Sequence, residues 1–227
     1  MHTAPAHQAP PRCPYEVCDR RLVRAAPSEA ALAAARFQRR ASPKWRELLF
    51  INNGDANGLC ASLGTNGGAQ TWVNPVLAGR LAVRASSPSC RHTDLKAIVG
   101  RQPLHTNYAG PRVDRGAPCA WWALDLGPQH RLVCNHYSLR HDASPAFPRD
   151  WALQGSEDGQ VWVDLRVHTG DKALSMPQQY ASWSVQGPGT AKAMRWFRVV
   201  LRAPCADGSW QLHLSNIELY GYLLAVP

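Results

Sequence analysis

The 227-residue sequence predicts an all-β protein, an antiparallel jelly-roll β-sandwich with a short helical or extended arm at its N-terminus. Three observations predict it. After Lys44, short apolar–polar alternations recur between turn signals roughly every 8–15 residues, the rhythm of a sandwich rather than of an α/β fold. Glu157-Asp158-Gly159-Gln160 separates two such runs with the Asp-Gly pair typical of a hairpin turn. The stretch Trp121-Trp122-Ala123-Leu124-Asp125-Leu126-Gly127 reads as a sheet strand, with Trp122, Leu124 and Leu126 on one face and Trp121, Ala123 and Asp125 on the other.

Residues 1–44 are of another character and are expected to form a basic, Pro/Ala-rich arm, with a sandwich domain over 45–224. Met1–Pro14 has no hydrophobic period and reads as extended or disordered. Ser28 suits an N-cap, and Ala30–Arg40 are good helix formers with Leu32, Ala33 and Phe37 on one stripe. Arg20, Arg21, Arg24, Arg36, Arg39 and Arg40 make the arm a candidate anchor. It also has the flavour of a transit peptide, although Glu16, Asp19 and Glu29 argue against one.

The strands are then expected in order. Arg46–Ile51 comes first, followed by a turn-dense loop at Asn52–Gly58, where Asn, Asp and Gly tolerate positive φ. A further turn lies at Gly64–Gly68, extended chain at Trp72–Pro75, and a strand at Leu81–Ala85. Ser86–Pro118 is a long irregular region of the kind that often carries function. Strands follow at Trp121–Gly127, Leu132–Leu139, Trp151–Ser156, Val161–Arg166, Tyr180–Val185, Arg195–Leu201 and Gln211–Leu219. Trp122, Trp151, Trp162 and Trp196 are expected in the core.

Composition narrows the function. Lys and Arg number 25 against 16 Asp and Glu, a formal charge of +9. That favours acidic partners, but no dense basic run or basic–aromatic platform marks a nucleic-acid reader. The 7 cysteines form no CxxC and no disulfide ladder, and no secretory signal is seen, so buried reduced thiols in an intracellular, cytoplasmic protein are expected. Cys13 and Cys18 would be half a zinc site without a second pair, so no metal and no cofactor are expected. No run nears the ~20 apolar residues of a membrane span. Catalytic patterns are absent, and His141, Asp142 and Ser144 sit too close in sequence to converge as a triad.

Specific residues then look familiar. "WALQGSEDGQVWVDLR" (151–166) resembles the hairpin of discoidin domains, also called coagulation factor V/VIII C-type domains. "WWALDLG" (121–127) resembles their W-x-x-V-D-L-G strand, and "RWFRVVLRAP…LSNIELYGYL" resembles their closing segment. Order and spacing agree across residues 46–223. "WVNPVLAGRLAVRASSP", "YAGPR" and "CNHYSLRHD" are similar to an intracellular branch of this galactose-binding-like fold, found after BTB domains in plant and algal proteins or in ubiquitin-ligase subunits. The extracellular domains join their ends by a disulfide, and here no cysteine lies near the last strand.

The resemblance implies a non-catalytic interaction module that binds a protein through the loop end of the sandwich, in a ubiquitin-ligase setting. The corresponding loops, Asn52–Gly67 and Ser86–Pro111, offer Asn53, Asp55, Arg91, His92, His105, Tyr108 and Arg112 as candidate binding residues. Guanidinium and imidazole groups together suit a carboxylate or acidic protein segment. Against that stands a purely structural use, with Asp55 building its turn and Arg91 and Arg112 pairing with Asp94 and Asp114. Two alternatives remain: a structural subunit of a ciliary or organellar assembly anchored by the arm, and a sugar- or lipid-binding lectin-like domain.

Overall fold

The computed structural model describes residues 15–18, 21–24, 44–88, 94–102, 110–113, 119–187 and 191–226, with backbone alone at 15–18, 21–24 and 44. It divides into two compact units, residues 1–42 and 43–227. In the first, β1 (Tyr15–Cys18) and β2 (Arg21–Arg24) pair antiparallel, with Tyr15 opposite Arg24 and Cys18 opposite Arg21. Arg21 and Arg24 therefore lie on a hairpin strand that the arm's composition does not announce. The helix expected at Ser28–Arg40 lies outside the described residues, as do Arg20, Arg36, Arg39 and Arg40.

The second unit is an antiparallel β-sandwich. Its strands are β3 (Lys44–Leu48), β4 (Ala82–Ala85), β5 (Trp121–Asp125), β6 (His130–His141), β7 (Trp151–Ser156), β8 (Val163–His168), β9 (Tyr180–Ser184), β10 (Trp196–Leu201) and β11 (Leu214–Ala225). One sheet has the order β4-β5-β10-β7-β8, the other β3-β11-β6-β9. The core lies between them. Trp122 and Leu124 of β5, Phe197 and Val199 of β10, and Trp151 and Leu153 of β7 meet Tyr137 and Leu139 of β6, Trp183 of β9, and Ile217 and Leu219 of β11. Trp151 crosses Trp183 at 5.4 Å, and its Nε1 donates to the Tyr137 hydroxyl at 3.3 Å. Trp122, wholly buried, donates Nε1 to the Leu212 carbonyl at 3.0 Å, so neither large indole leaves a polar atom stranded.

Several strand limits move. β3 ends at Leu48, and 49–51 carry no ladder. The expected turn at Gly64 is preceded by a helix, α1 (Leu59–Gly64), whose Leu59, Cys60 and Leu63 face inward. Six residues cannot show a helical period, so α1 is held by burial rather than propensity. β8 begins at Val163, because the Asp158 carboxylate accepts from the Gln160 and Val161 amides and keeps the turn going past Gly159. Trp162 is a correction: it is half-buried on the outer face of the five-stranded sheet, 4.2 Å under the Arg198 guanidinium. Trp196 is buried too, but it stands opposite Asp125 and Ser156 on that same outer face, outside the core cluster.

β6 and β11 run 12 residues each; β6 changes phase midway, while β11 keeps Ile217, Leu219 and Leu223 on one face. Tyr220 faces His136 but Gly221 faces Cys134, so Asn135 is an extra residue, a β-bulge. This explains the blurred alternation of Leu132–Leu139: Leu132 and Cys134 point inward before the bulge, Tyr137 and Leu139 after it. Gly221 makes the bulge possible. It sits at φ +132°, and a Cβ there would lie 2.0 Å from the Val133 carbonyl oxygen.

Candidate functional site

The outer face of the four-stranded sheet carries Arg140 and Ser138 of β6, Asn216, Glu218 and Tyr220 of β11, and Tyr180 of β9, opposite in phase to the core residues of those strands. Two segments cover it. The first is the Asn52–Gly58 loop, organised by Asp55. Its Oδ2 accepts from the Ile51 and Asn52 amides at 2.9 and 3.4 Å, and its Oδ1 accepts from the Asn57 amide at 3.1 Å and the Tyr220 hydroxyl at 3.0 Å. Two glycines let this loop descend onto the sheet. Gly54 lies against the Tyr180 ring, and a Cβ on Gly58 would come within 2.3 Å of Glu218 Cγ.

The second segment, Gly100–Gln102, is tied down by Arg140, which is 2% exposed. Its guanidinium donates to the carbonyls of Gly100, Arg101, Gln102 and Ser215, to Ser215 Oγ, and to the Tyr180 hydroxyl at 3.0 Å. Neutral oxygens thus disperse a buried cation, and burial lowers its pKa from the ordinary arginine value.

Between the two segments a cleft of about 410 Å³ remains, with Asp55, Trp72, Ser138, Tyr180, Glu218 and Tyr220 among its walls and Arg101 and Gln102 at its rim. Glu218 is its most unusual member. The carboxyl is 7% exposed, and burial raises its pKa to about 7, against the pull of the Cys60 amide, which donates to Oε1 at 2.7 Å. Burial likewise raises the Tyr220 hydroxyl and, with the Glu218 charge behind it, the Cys60 thiol, which donates to the Ile217 carbonyl at 3.4 Å. Ser138 Oγ and Trp72 Nε1 are buried with no hydrogen-bond partner among the described residues, although Ser138 is wholly inaccessible. A buried polar group left so costs roughly 1–3 kcal/mol. The cleft therefore holds a carboxyl able to switch between donor and acceptor near neutral pH, while the Trp72 indole N–H and the Ser138 hydroxyl are shut behind its walls.

Of the residues singled out from sequence, Asp55 lines this cleft, but its own loop and Tyr220 occupy its carboxylate. Asn53 is exposed on the same loop. Arg112 is exposed elsewhere, bridged to Gln211, with its carbonyl accepting from Ser86 Oγ at 2.9 Å. Arg91, His92, His105 and Tyr108 lie outside the described residues. Asp94 pairs with Lys96 at 2.6 Å. Sequence reasoning missed Trp72, Ser138, Tyr180 and Glu218. A signal existed for the last: Glu218 is the single charged residue in the apolar run Ile217–Val226.

Elsewhere, His141 contacts the Asp142 and Ala146 carbonyls through its two ring nitrogens at 3.1 and 3.0 Å, and Ser144 Oγ makes no hydrogen bond among the described residues. The two ring nitrogens of His141 are thus spent on holding the β6–β7 connection. Cys60, Cys119, Cys134 and Cys205 are free thiols. Among the described residues there is no grouping of three or more metal-ligating side chains, and no helix long and apolar enough to cross a membrane.

No protein-family model matches the chain. It is 44% identical to a BTB/POZ domain-containing protein of Arabidopsis thaliana, over 83% of this chain and 23% of that one. It is 30% identical to the E3 ubiquitin-protein ligase Ufd4 of Drosophila melanogaster over 76% of its length, and 32% identical to the E3 ubiquitin-protein ligase hecd-1 of Caenorhabditis elegans over 79%. The chain spans less than a quarter of these curated relatives, 23%, 6% and 7% of their lengths. Among solved structures, a Clostridium perfringens carbohydrate-binding module in complex with a GalNAc–galactose disaccharide matches 63% of this chain and 96% of its own, at 11% identity and a TM-score of 0.46. A chitosan-binding module from a Paenibacillus chitosanase/glucanase matches 63% and 96%, at 18% identity and 0.44. Its three motifs, set in register on β5, on the β7–β8 hairpin and on β10–β11, resemble those of discoidin-type, galactose-binding-like domains, and its two antiparallel sheets form the β-sandwich that this resemblance implies.

Proposed function

We propose that the chain is a non-catalytic protein-recognition module that reads a peptide segment of its partner in the cleft over the four-stranded sheet. The observation that carries this is the cleft itself, about 410 Å³ over the four-stranded sheet, with Tyr180 and the neutralisable carboxyl of Glu218 in its walls and Arg101 and Gln102 exposed at its rim. A peptide complements such a set: its carbonyl oxygens accept from the Arg101 guanidinium, the Gln102 amide and the Tyr180 hydroxyl, whose oxygen already accepts from Arg140, and its amides donate to the Gln102 carbonyl oxygen. Relatives that are ubiquitin ligases, or that carry a BTB/POZ domain, support a setting in which a module of this kind selects a protein for modification.

The test is a random-peptide display selection against the full chain, read beside a glycan array. Enriched peptides whose affinity drops roughly tenfold in Tyr180→Phe and Gln102→Ala, the loss of one hydrogen bond each, support the reading. Glycan binding with no peptide enrichment would overturn it in favour of a lectin.

A further inference from the structure

The outer face of the five-stranded sheet is a second surface, built independently of the cleft. The antiparallel registers place one straight row across all its strands: Arg84 opposite Ala123, Ala123 opposite Arg198, Arg198 opposite Gln154, and Gln154 opposite Asp164. Their chain neighbours Val83, Leu124, Phe197, Val199 and Leu153 belong to the core, so the row points away from it.

Arg198 is held in place before anything binds. Its Nε donates to Gln154 Oε1 at 2.6 Å, and Gln154 Nε2 in turn donates to Asp164 Oδ1 at 2.7 Å. The guanidinium carbon lies over the Trp162 ring, 4.2 Å from its centroid. Its terminal nitrogens have no hydrogen-bond partner among the described residues, so the fork is fixed but unused. Arg84 is exposed and stacks over Trp196 at 4.9 Å, with no carboxylate partner among the described residues. Only Ala123 separates the two arginines, and two strand spacings put their backbones about 10 Å apart. That is a span one carboxylate can bridge from two long side chains.

The remaining charges on this face are balanced. Arg195 holds Asp125 through two bonds of 2.6 and 2.8 Å, and Arg202 holds Asp164 at 2.5 Å. The surplus positive charge therefore sits on Arg84 and Arg198. Beside them a depression of about 290 Å³ is walled by Arg198, Val200, Arg202 and Trp210, with Trp210 39% exposed. Asp164 ends the row and Asp125 lies two residues along β5 from Ala123, which disfavours a continuous phosphate backbone and favours one discrete acid.

We propose that this face docks an acidic peptide segment, with an aspartate or glutamate carboxylate seated over Ala123 between Arg84 and Arg198 and an adjacent apolar side chain resting on Val200 and Trp210. Planar guanidinium forks match carboxylates in a bidentate way, and stacking on indoles removes most of the entropy cost of holding them.

The experiment is fluorescence-polarisation titration of the full chain with a labelled peptide of alternating glutamate and leucine. An alternating lysine–leucine peptide and a single-stranded oligonucleotide of equal negative charge serve as comparisons. Saturable binding of the acidic peptide alone is expected, weakened by salt, and reduced roughly tenfold both by Arg84→Glu and by Arg198→Lys, the latter keeping the charge but losing the fork. Arg46→Ala, which removes an exposed arginine on β3 of the other sheet, should leave it unchanged. Unaltered thermal unfolding of Arg84→Glu shows that the fold is intact. Absence of acidic-peptide binding, binding indifferent to both arginine substitutions, or equal binding of the oligonucleotide overturns the proposal.

Discussion

Glu218 shows how much one side chain can report. A carboxyl whose pKa rises from 4.5 unfolded to about 7 folded binds more protons in the folded state between those values. Its contribution therefore favours the fold below pH 4.5 and is lost progressively as pH rises through 7, by roughly 3 kcal/mol at full ionisation. Glu218→Gln removes this loss while keeping an oxygen for the Cys60 amide. The stability-versus-pH slope between pH 5 and 7, measured by denaturant unfolding, should become more positive in the variant; an unchanged slope would show that Glu218 does not titrate there. Gly58 is its steric counterpart. Its φ of −80° demands no glycine, so Gly58→Ala should act purely through the 2.3 Å approach of the new Cβ to Glu218 Cγ, costing about 1–3 kcal/mol. Shortening Glu218 to Ala in the same chain should recover much of that cost, a coupling that a double-mutant cycle measures directly.

At the scale of elements, the bulge at Asn135, opposite Gly221, decides which residues of β6 face the core. Gly221→Ala places a Cβ at both a forbidden φ and a carbonyl contact of 2.0 Å, so a cost of about 3 kcal/mol or more is expected, read as a lowered denaturation midpoint. Arg140 works between elements, binding β6 and β11 to the Gly100–Gln102 segment that closes one side of the cleft. Arg140→Met fills its volume but strands several carbonyls. Stability should fall by about 3 kcal/mol, and amide exchange should accelerate at 96–102. A variant with unchanged exchange there would mean that packing of Ile98 and Val99 alone holds the segment.

Across the whole molecule, the buried polar groups pull stability in opposite directions with pH. Burial lowers the pKa values of His136, His141 and His168, so each adds stability that is present above pH 6.5 and declines as pH falls through it. Glu218 acts in the reverse sense over an overlapping window. His168 is the best satisfied of the three, stacked on Trp151 at 4.1 Å, bonded to Asp171 at 2.7 Å and to the Tyr137 hydroxyl at 2.6 Å, a polar strut between the two sheets. His168→Phe keeps the stacking but leaves the Asp171 carboxylate and the Tyr137 hydroxyl short of a partner. It should lower the melting temperature at pH 7 and flatten the acid limb of the unfolding profile; a profile of unchanged shape would exclude His168 as a contributor to that limb.

Local sequence determined the sandwich itself, because alternation, the Asp158-Gly159 turn and the Trp122 strand each act within a few residues of chain. It also determined that Asp55 would organise its loop, since an Asx side chain reaches its own backbone amides wherever the loop is placed. Tertiary structure alone decided the rest. Whether an alternating strand is covered on its second face depends on distant chain: Arg198 shields Trp162, and Gly58 seals Glu218. A one-residue bulge inverts the facing of every residue beyond it, and no local pattern marks where the partner strand will force it. For the same reason neither the cleft nor the arginine row can be read from spacing. Arg84 and Arg198 are 114 positions apart in the chain, and only the register of β4, β5 and β10 brings them to either side of Ala123.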